Sequence, residues 1–377
     1  MKVTLIQENL AKALQHINKA VSNRPNIPVL ANVLIEAQKG MLKLSSTNLE
    51  MGISMWIGAN IADEGKLTVS AKLLSEFVNS LKPGKIEMVE NGQMLEVNSV
   101  DNKAEFFIIP ADDFPKIPEP EGNNIVEVNA LEFADAIVQT AVAAGTDDSR
   151  PVLTGILMET TGEKQITLVG VDGFRLSRKI LKLDKAIKIE KFKEIVPAHT
   201  LKEMESILRD VADEKEVIKI YYLGAKNQLL FKVGDLELST RLIEGEFPDY
   251  EKIMPKEKIL RFNLDREEFS NALKVVSIFA RNVIGNKTRF KIDTDKKQVM
   301  MSANVVDVGK NDSSVNITNL EGDDMETGYN VRFLMEAVGV IKSKTIVFES
   351  NGSTAPGVFV NPDDPDFTHV IMPMRLD

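Results

Sequence analysis

Carboxylates are the first groups in this 377-residue chain to weigh for chemistry. Asp172 in VDGFRLS and Asp249 in EGEFPDY are candidates for acid–base work on a folded scaffold. The run NPDDPDF, Asn361 to Phe367, offers oxygen ligands to a hard cation, but it reads more simply as a solvated loop. DTDKK from Asp293 begins like a calcium loop and lacks the glycine that such a loop needs. His16, His199 and His369 stand far apart in the chain, which argues against a histidine site. With no Cys there is no disulfide, thiolate metal site, iron–sulfur cluster or cysteine nucleophile, as fits a reducing compartment. No Walker A, G-x-S-x-G, H-E-x-x-H or EF-hand pattern occurs. The expectation is therefore no metal and no cofactor.

The elements that would position such groups come in threes. VTLIQENLAKALQHI from Val3, VEVNALEFADAIVQT from Val126 and FNLDREEFSNALKVV from Phe262 each read as a short alternating strand followed by an amphipathic helix. VSAKLLSEFVNSL from Val69, VPAHTLKEMESIL from Val196 and YNVRFLMEAVGVI from Tyr329 repeat that design at nearly constant spacing. Alternating runs such as KIEMVE, QITLVG, VIKIYYL and TIVFES supply half-buried strands. Each repeat thus predicts two helices and about eight strands, an α+β class. A chain of this length exceeds what one core supports. Linkers rich in Pro and charge, PKIPEPEGNN and PDYEKIMPKEK, set the domains at 1–121, 122–254 and 255–377. The predicted helices are Gln7–Arg24, Ala71–Lys82, Ala130–Ala144, His199–Asp210, Asp265–Arg281 and Val331–Lys344.

A net charge of −10 argues at first against nucleic acid, but its distribution weakens the objection. The six helices hold 13 Lys and Arg against 11 Asp and Glu, so the strands and loops carry the negative excess. In the first helix Leu10, Leu14, Ile17 and Val21 form the core stripe, while Lys12 and Lys19 fall on the opposite face. With Lys72, Lys202, Lys274 and Arg281 they would make a helix-lined surface fit for phosphates without base readout. Ordinary solvated surface is the competing reading of so small a difference.

The chain ends HVIMPMRLD, unusually apolar for a terminus. It is either a last strand packed on its own domain or one wall of a site for another protein. Ile278 poses a similar question: nine residues beyond Phe269, it lies about 180° from the Phe269, Leu273, Val276 stripe. Either the helix ends near it or its side chain is used elsewhere. MKVTLIQENLAKAL has no secretory h-region and no apolar run approaches the roughly 18 residues of a membrane span, so the cytoplasm is expected.

RPNIPVLANVLIE from Arg24, SRPVLTGILME from Ser149, VDGFRLS from Val171, EGEFPDY from Glu244 and VIMPMRL from Val370, in that order on a triplicate frame, resemble the bacterial sliding clamps, the β subunits of DNA polymerase III. The resemblance covers the whole chain. It implies a non-catalytic head-to-tail homodimer, a ring whose helices line a hole around double-stranded DNA. Such a ring tethers the polymerase III catalytic subunit and receives the clamp loader, other polymerases and repair proteins through short linear motifs, typically Gln followed by Leu and Phe. By motif matching, the receiving groove comprises Leu153, Val171, Gly173, Phe174, Arg175, Leu176, Pro248, Ile253, Val370, Met372, Pro373, Met374 and Arg375. Either Arg375 or Arg175 would meet a polar group of the partner. Phe174 and Val171 stand where relatives often carry His and Thr, which makes this groove more apolar. Arg24 and Arg150 are the DNA contacts that the resemblance implies; the rest of the TDDSRPV loop around Arg150 is acidic. Ring closure would set Ile278 and Phe279 against Ala104 and Phe106. Two rivals stand beside this reading: an enzyme using Asp172 or Asp249, and a monomeric scaffold that binds peptides alone.

Overall fold

The computed structural model describes residues 1–377 apart from 23–25, 121–125, 189–190, 256 and 377. A first module runs β1 (Lys2–Ile6), α1 (Gln7–Ile17), β2 (Asn32–Gln38), β3 (Met41–Thr47), β4 (Met51–Gly58), β5 (Asn60–Asp63), β6 (Gly65–Ser70), α2 (Ala71–Ser80), β7 (Lys85–Asn91), β8 (Met94–Asn98) and β9 (Lys103–Phe107). The second comprises β10 (Val126–Asn129), α3 (Ala130–Ala141), β11 (Gly155–Gly162), β12 (Gln165–Val171), β13 (Arg175–Lys182), β14 (Lys193–Pro197), α4 (Ala198–Val211), β15 (Val217–Leu223), β16 (Gln228–Val233) and β17 (Leu236–Arg241). The third comprises β18 (Leu260–Asp265), α5 (Arg266–Ala280), β19 (Lys287–Asp293), β20 (Gln298–Val305), β21 (Gly309–Glu321), β22 (Met325–Asn330), α6 (Val331–Val340), β23 (Thr345–Ser350), β24 (Gly357–Asn361) and β25 (Asp364–Ile371).

Four helices start the same way, with the last residue of a strand serving as the cap. Ser70 accepts from Leu73 N, Asn129 from Leu131 N and Glu132 N, Asp265 from Glu267 N and Glu268 N, and Asn330 from Arg332 N. Each side chain satisfies amide groups that the first helical turn leaves open. The helices then bury one stripe: Leu10, Leu14 and Ile17 in α1, and Phe269, Leu273 and Val276 in α5, are fully buried. The first helix is shorter than its sequence predicts. It gives way to a 3-10 turn at Asn18–Ala20, Val21 is extended, and Ser22 N donates to Leu30 O at 3.2 Å, which turns the chain back. Lys19 therefore sits on the turn rather than on the helix.

The chain forms two compact units, one of residues 1–134, 184–189 and 203–242, the other of 135–183, 190–202 and 243–377. Within the first, a five-stranded sheet has the order β5-β1-β7-β8-β9 and an eight-stranded sheet the order β10-β15-β16-β17-β4-β3-β2-β6. Within the second, twelve strands follow the order β14-β11-β12-β13-β25-β24-β23-β18-β21-β20-β19-β22. Two antiparallel seams join consecutive modules. β4 of the first pairs with β17, the last strand of the second, from Met55↔Leu236 to Met51↔Thr240. β13 of the second pairs with β25, the last strand of the third, from Arg175↔Ile371 to Lys179↔Phe367. The corresponding strand of the third module is β21, whose Gly309–Asn316 half pairs only with β20 among the described residues. The last strand of the first module, β9, ends its sheet. One rule of pairing thus operates twice and leaves two matching edges over.

The third module's core includes Phe262, Phe269, Phe290, Tyr329, Phe348, Phe359 and Phe367 among its aliphatic side chains. Phe262 stacks on Phe348 at 4.9 Å, and Phe290 meets Tyr329 edge-on at 5.4 Å. Offset and edge-on pairs of this kind add roughly 0.5–1.5 kcal/mol each beyond area burial.

Candidate partner groove and nucleic-acid interface

The apolar C-terminal run neither hangs free nor simply completes a strand. β25 ends at Ile371, and the tail continues across the third module. Met372 N donates to Phe174 O at 2.8 Å, and Met374 N to Gly328 O at 2.8 Å. Gly285, at φ +74, passes so close that a Cβ there would lie 2.7 Å from Met374 Cε. These contacts leave a cleft of about 1060 Å³ lined by Phe174, Met372, Pro373, Met374 and Arg375 from the expected set. Val283, Ile284, Gly285, Lys287, Arg289, Ser302, Ala303, Asn304, Asn330, Phe333 and Leu376 complete it.

Phe174 is presented deliberately. Asp172 Oδ1 accepts from Phe174 N at 2.9 Å and Arg175 N at 3.0 Å, and Gly173 takes φ +92 to close the turn. An L side chain at that φ would be strained. The phenyl ring is left 60% exposed beside Met372.

Several expected lining residues lie elsewhere. Val171, Leu176 and Val370 are 3%, 1% and 0% exposed, in a buried cluster with Leu157, Val169, Phe247, Tyr250 and Val358. Val171 on β12, Leu176 on β13 and Val370 on β25 turn their side chains inward from paired strands, so they do not line the cleft. Ile253 packs half-buried on that cluster. Pro248 borders a separate hollow of about 660 Å³ with Glu159, Lys193 and Glu251. Leu153 is half-buried in the turn Pro151–Thr154. Arg175 is not available to a partner. It is 5% exposed, its Nε lies 3.0 Å from Asp172 Oδ2, it also binds Glu336, and its guanidinium lies 4.2 Å from the Phe333 ring centroid. An arginine so held is a structural tie.

The missed residues had one readable signal, the apolar pair Val283-Ile284 in the turn that follows α5 after Arg281 and Asn282. Ile284 is 96% exposed. The remaining wall comes from β19, β20, β22 and α6, whose facing required the tertiary fold.

The basic positions divide. Lys12 lies 3.8 Å from Asp210 Oδ2, and Lys19 bonds Glu203 Oε2 at 2.6 Å and Ser206 Oγ at 3.1 Å. Both charges tie α1 and its following turn to α4. His16, nearly fully buried, sits in the same network with Nε2 2.9 Å from Asp210 Oδ2. Burial lowers its pKa from the ordinary value, partly opposed by Asp210 and reinforced by Lys12 and Lys19. Lys72 approaches Glu76 at 4.0 Å, and Arg150 Nε pairs with Asp147 at 3.2 Å. Lys202, Lys274 and Arg281 are exposed. Arg24 lies outside the described residues.

Ile278 lies inside α5 and is 52% exposed, so the helix does not end before it. Phe279 packs half-buried against the third module's core. Ala104 and Phe106 are half-buried on β9, Phe106 meeting Phe77 edge-on at 5.8 Å.

The candidate carboxylates have structural partners. Asp172 caps its turn and holds Arg175, while exposed Asp249 pairs with Lys252 at 2.7 Å, whose hydrogen bond lowers its pKa. In the acidic run, Asp364 binds Lys179 and accepts from Gln139 at 3.1 Å, and Asp366 pairs with Lys182 at 2.6 Å. Among the described residues no group of His, Asp and Glu is arranged to hold a metal ion, and no helix is long and apolar enough to cross a membrane.

Three strand–helix modules are thus joined, fourth strand to last strand. Residues 1–118, 127–249 and 251–375 match the N-terminal, central and C-terminal domains of the DNA polymerase III beta subunit, and the chain belongs to that family. It is 27% identical to the beta sliding clamp of Synechococcus elongatus, with 100% of both chains covered, and 25% identical to that of Staphylococcus aureus, with 100% of this chain and 99% of the relative covered. Its fold matches the DNA polymerase sliding clamp of Bacillus subtilis at a TM-score of 0.93, with 23% identity and full coverage of both chains. The sliding clamp of Pseudomonas aeruginosa bound to griselimycin matches at 0.93, with 26% identity and full coverage of both.

Proposed function

We propose that two copies of this chain close head to tail into a ring around duplex DNA and act as a sliding clamp. The ring gives the replicative polymerase processivity by linkage and catalyses nothing itself. The observation that carries the reading is the pairing rule: a module's fourth strand takes the next module's last strand, twice, and β21 and β9 remain to do the same between chains. Mutual pairing would also cover two sheet edges that invite aggregation when bare. Exposed Ile278, with Phe279, would then meet Ala104 and Phe106 of the second copy. The domains are assigned as 1–121, 122–254 and 255–377.

Lys72, Lys202, Lys274 and Arg281 are the cations best placed to meet phosphates, with Arg24 and Arg150 as further DNA contacts. Lys12 and Lys19 contribute by fixing neighbouring helices. The cleft around Phe174, Met372, Pro373, Met374 and Arg375 would receive linear motifs of the polymerase catalytic subunit, the clamp loader and repair proteins. Thioethers suit a site with several occupants because they repack cheaply. We place the protein in the cytoplasm. The test is mass in solution together with retention on closed circular DNA. A dimer near twice 41.8 kDa that stays on nicked circles supports the reading. A monomer indifferent to DNA topology refutes it.

A further inference from the structure

We infer that the two copies meet in one fixed register, with Asn311 of β21 opposite Ala104 of β9 in the second copy, and that charges on the outer face of the joint select it. This rests on the ring reading and adds the residues that set its geometry.

The register follows from counting strand pairs. Outward from the repeated residues Val69, Val196 and Tyr329, equivalent steps across the second, third and fourth strands of each module arrive at Ile53, Ser177 and Asn311. From Val3, Val126 and Phe262 they arrive at Ala104, Leu238 and His369 on the last strands. Both seams meet at this one position: Ile53 pairs with Leu238, and Ser177 with His369. The members left over are Asn311 and Ala104.

Face and charge agree with that register, since facing residues of antiparallel strands project to the same side of a sheet. Lys310 then faces Glu105 and Asp312 faces Lys103, two pairs of opposite sign, all four side chains exposed in the single chain. Val308, just before β21, faces Phe107, and the two are 68% and 79% exposed. On the other side Gly309 faces half-buried Phe106. A Cβ at Gly309 would lie 3.5 Å from Phe279 Cε1, so its absence opens the Phe279 ring to Phe106 of the second copy. Lys103 already bridges Glu96 and Glu105 at 3.0 and 3.2 Å, so the second copy extends a ladder of alternating charge. A slip of one residue would turn every side chain to the wrong face. A slip of two sets Asp312 against Glu105 or, in the other direction, Lys310 against Lys103 and Asp312 against Asp101, and like charges directly opposite repel.

Charge reversal tests this on the full-length protein, read as the dimer dissociation constant by sedimentation equilibrium. Lys310→Glu and Glu105→Lys each put like charges at both joints of the ring and should weaken the dimer about tenfold or more, with circular dichroism unchanged. An equimolar mixture of the two variants should recover most of the lost affinity, because in the mixed ring one joint carries the reversed pair and the other the original pair. Contacts within each chain are the same in the mixture as in the separate variants, so recovery reports the contact between chains. An undiminished dimer from either variant, or no recovery on mixing, overturns the register and leaves the ring standing. A monomeric parent protein removes the ring reading and this inference with it.

Discussion

Ser177 faces His369 directly across the β13–β25 seam, with Oγ 2.5 Å from Nδ1 and both side chains fully buried. The ring's Nε2 is buried with no hydrogen-bond partner among the described residues. Burial, reinforced by Arg175, pushes the His369 pKa from 6.5 down to about 3. The seam between the second and third modules thus depends on a neutral imidazole.

The sign of its pH dependence follows from that depression. Above pH 6.5 His369 is neutral in folded and unfolded chains and contributes no slope. Between pH 6.5 and about 3 the unfolded chain binds a proton that the folded chain refuses, so stability falls with pH. The slope from this site approaches about 1.4 kcal/mol per pH unit. Urea melts from pH 7 to 4.5 should show that loss, and a His369→Gln variant should show a flatter one. An identical slope in the variant would remove His369 from the account.

Arg175 makes a second prediction because Asp172, Glu336 and Phe333 all converge on it. Removing one member of a buried ion pair typically costs about 3–5 kcal/mol. Arg175→Ala should destabilise the chain on that order in denaturant melts, whereas Arg375→Ala should change stability by less than about 0.5 kcal/mol. Similar effects from the two would restore Arg175 to the cleft surface.

Much of the fold was legible because the repeat was legible. Leu10, Leu14 and Ile17, or Phe269, Leu273 and Val276, announce their helices through period alone, and all are buried. The end of α1 was not, because Val21 continues the apolar spacing although its backbone is already extended. The cleft was half legible. Phe174, Met372 and Met374 lie in motifs, but Lys287 and Arg289 are brought in by β19, and no spacing in one dimension reveals that. Val171, Leu176 and Val370 share the motifs of the lining residues but lie within the paired strands β12, β13 and β25, whereas Phe174 precedes β13 and Met372 and Met374 follow β25. An apolar pattern alone does not mark where strand pairing stops and the chain turns outward.

Met372 and Met374 offer the cleanest loss of partner binding. Converting both to Asp puts charge against Phe174 and Phe333 and should weaken binding of a Leu-Phe peptide at least about tenfold, while the mass in solution stays that of the dimer. Conversion to monomer would show that the tail serves assembly.

Ile278→Asp should do the reverse. A charge at this exposed helical position should leave the fold intact by circular dichroism and peptide binding unchanged, and shift the mass from twice 41.8 kDa toward 41.8 kDa. A persistent dimer would move the interface elsewhere.

The central claim is that two chains enclose a duplex without gripping it. The most direct measurement loads the protein on nicked circular DNA, then compares its retention before and after the circle is cut. Enclosure predicts a long-lived complex on the circle that survives raised salt and is lost within minutes of linearisation. Equal retention on circular and linear DNA, falling in parallel with salt, would mean ordinary phosphate binding and would contradict enclosure.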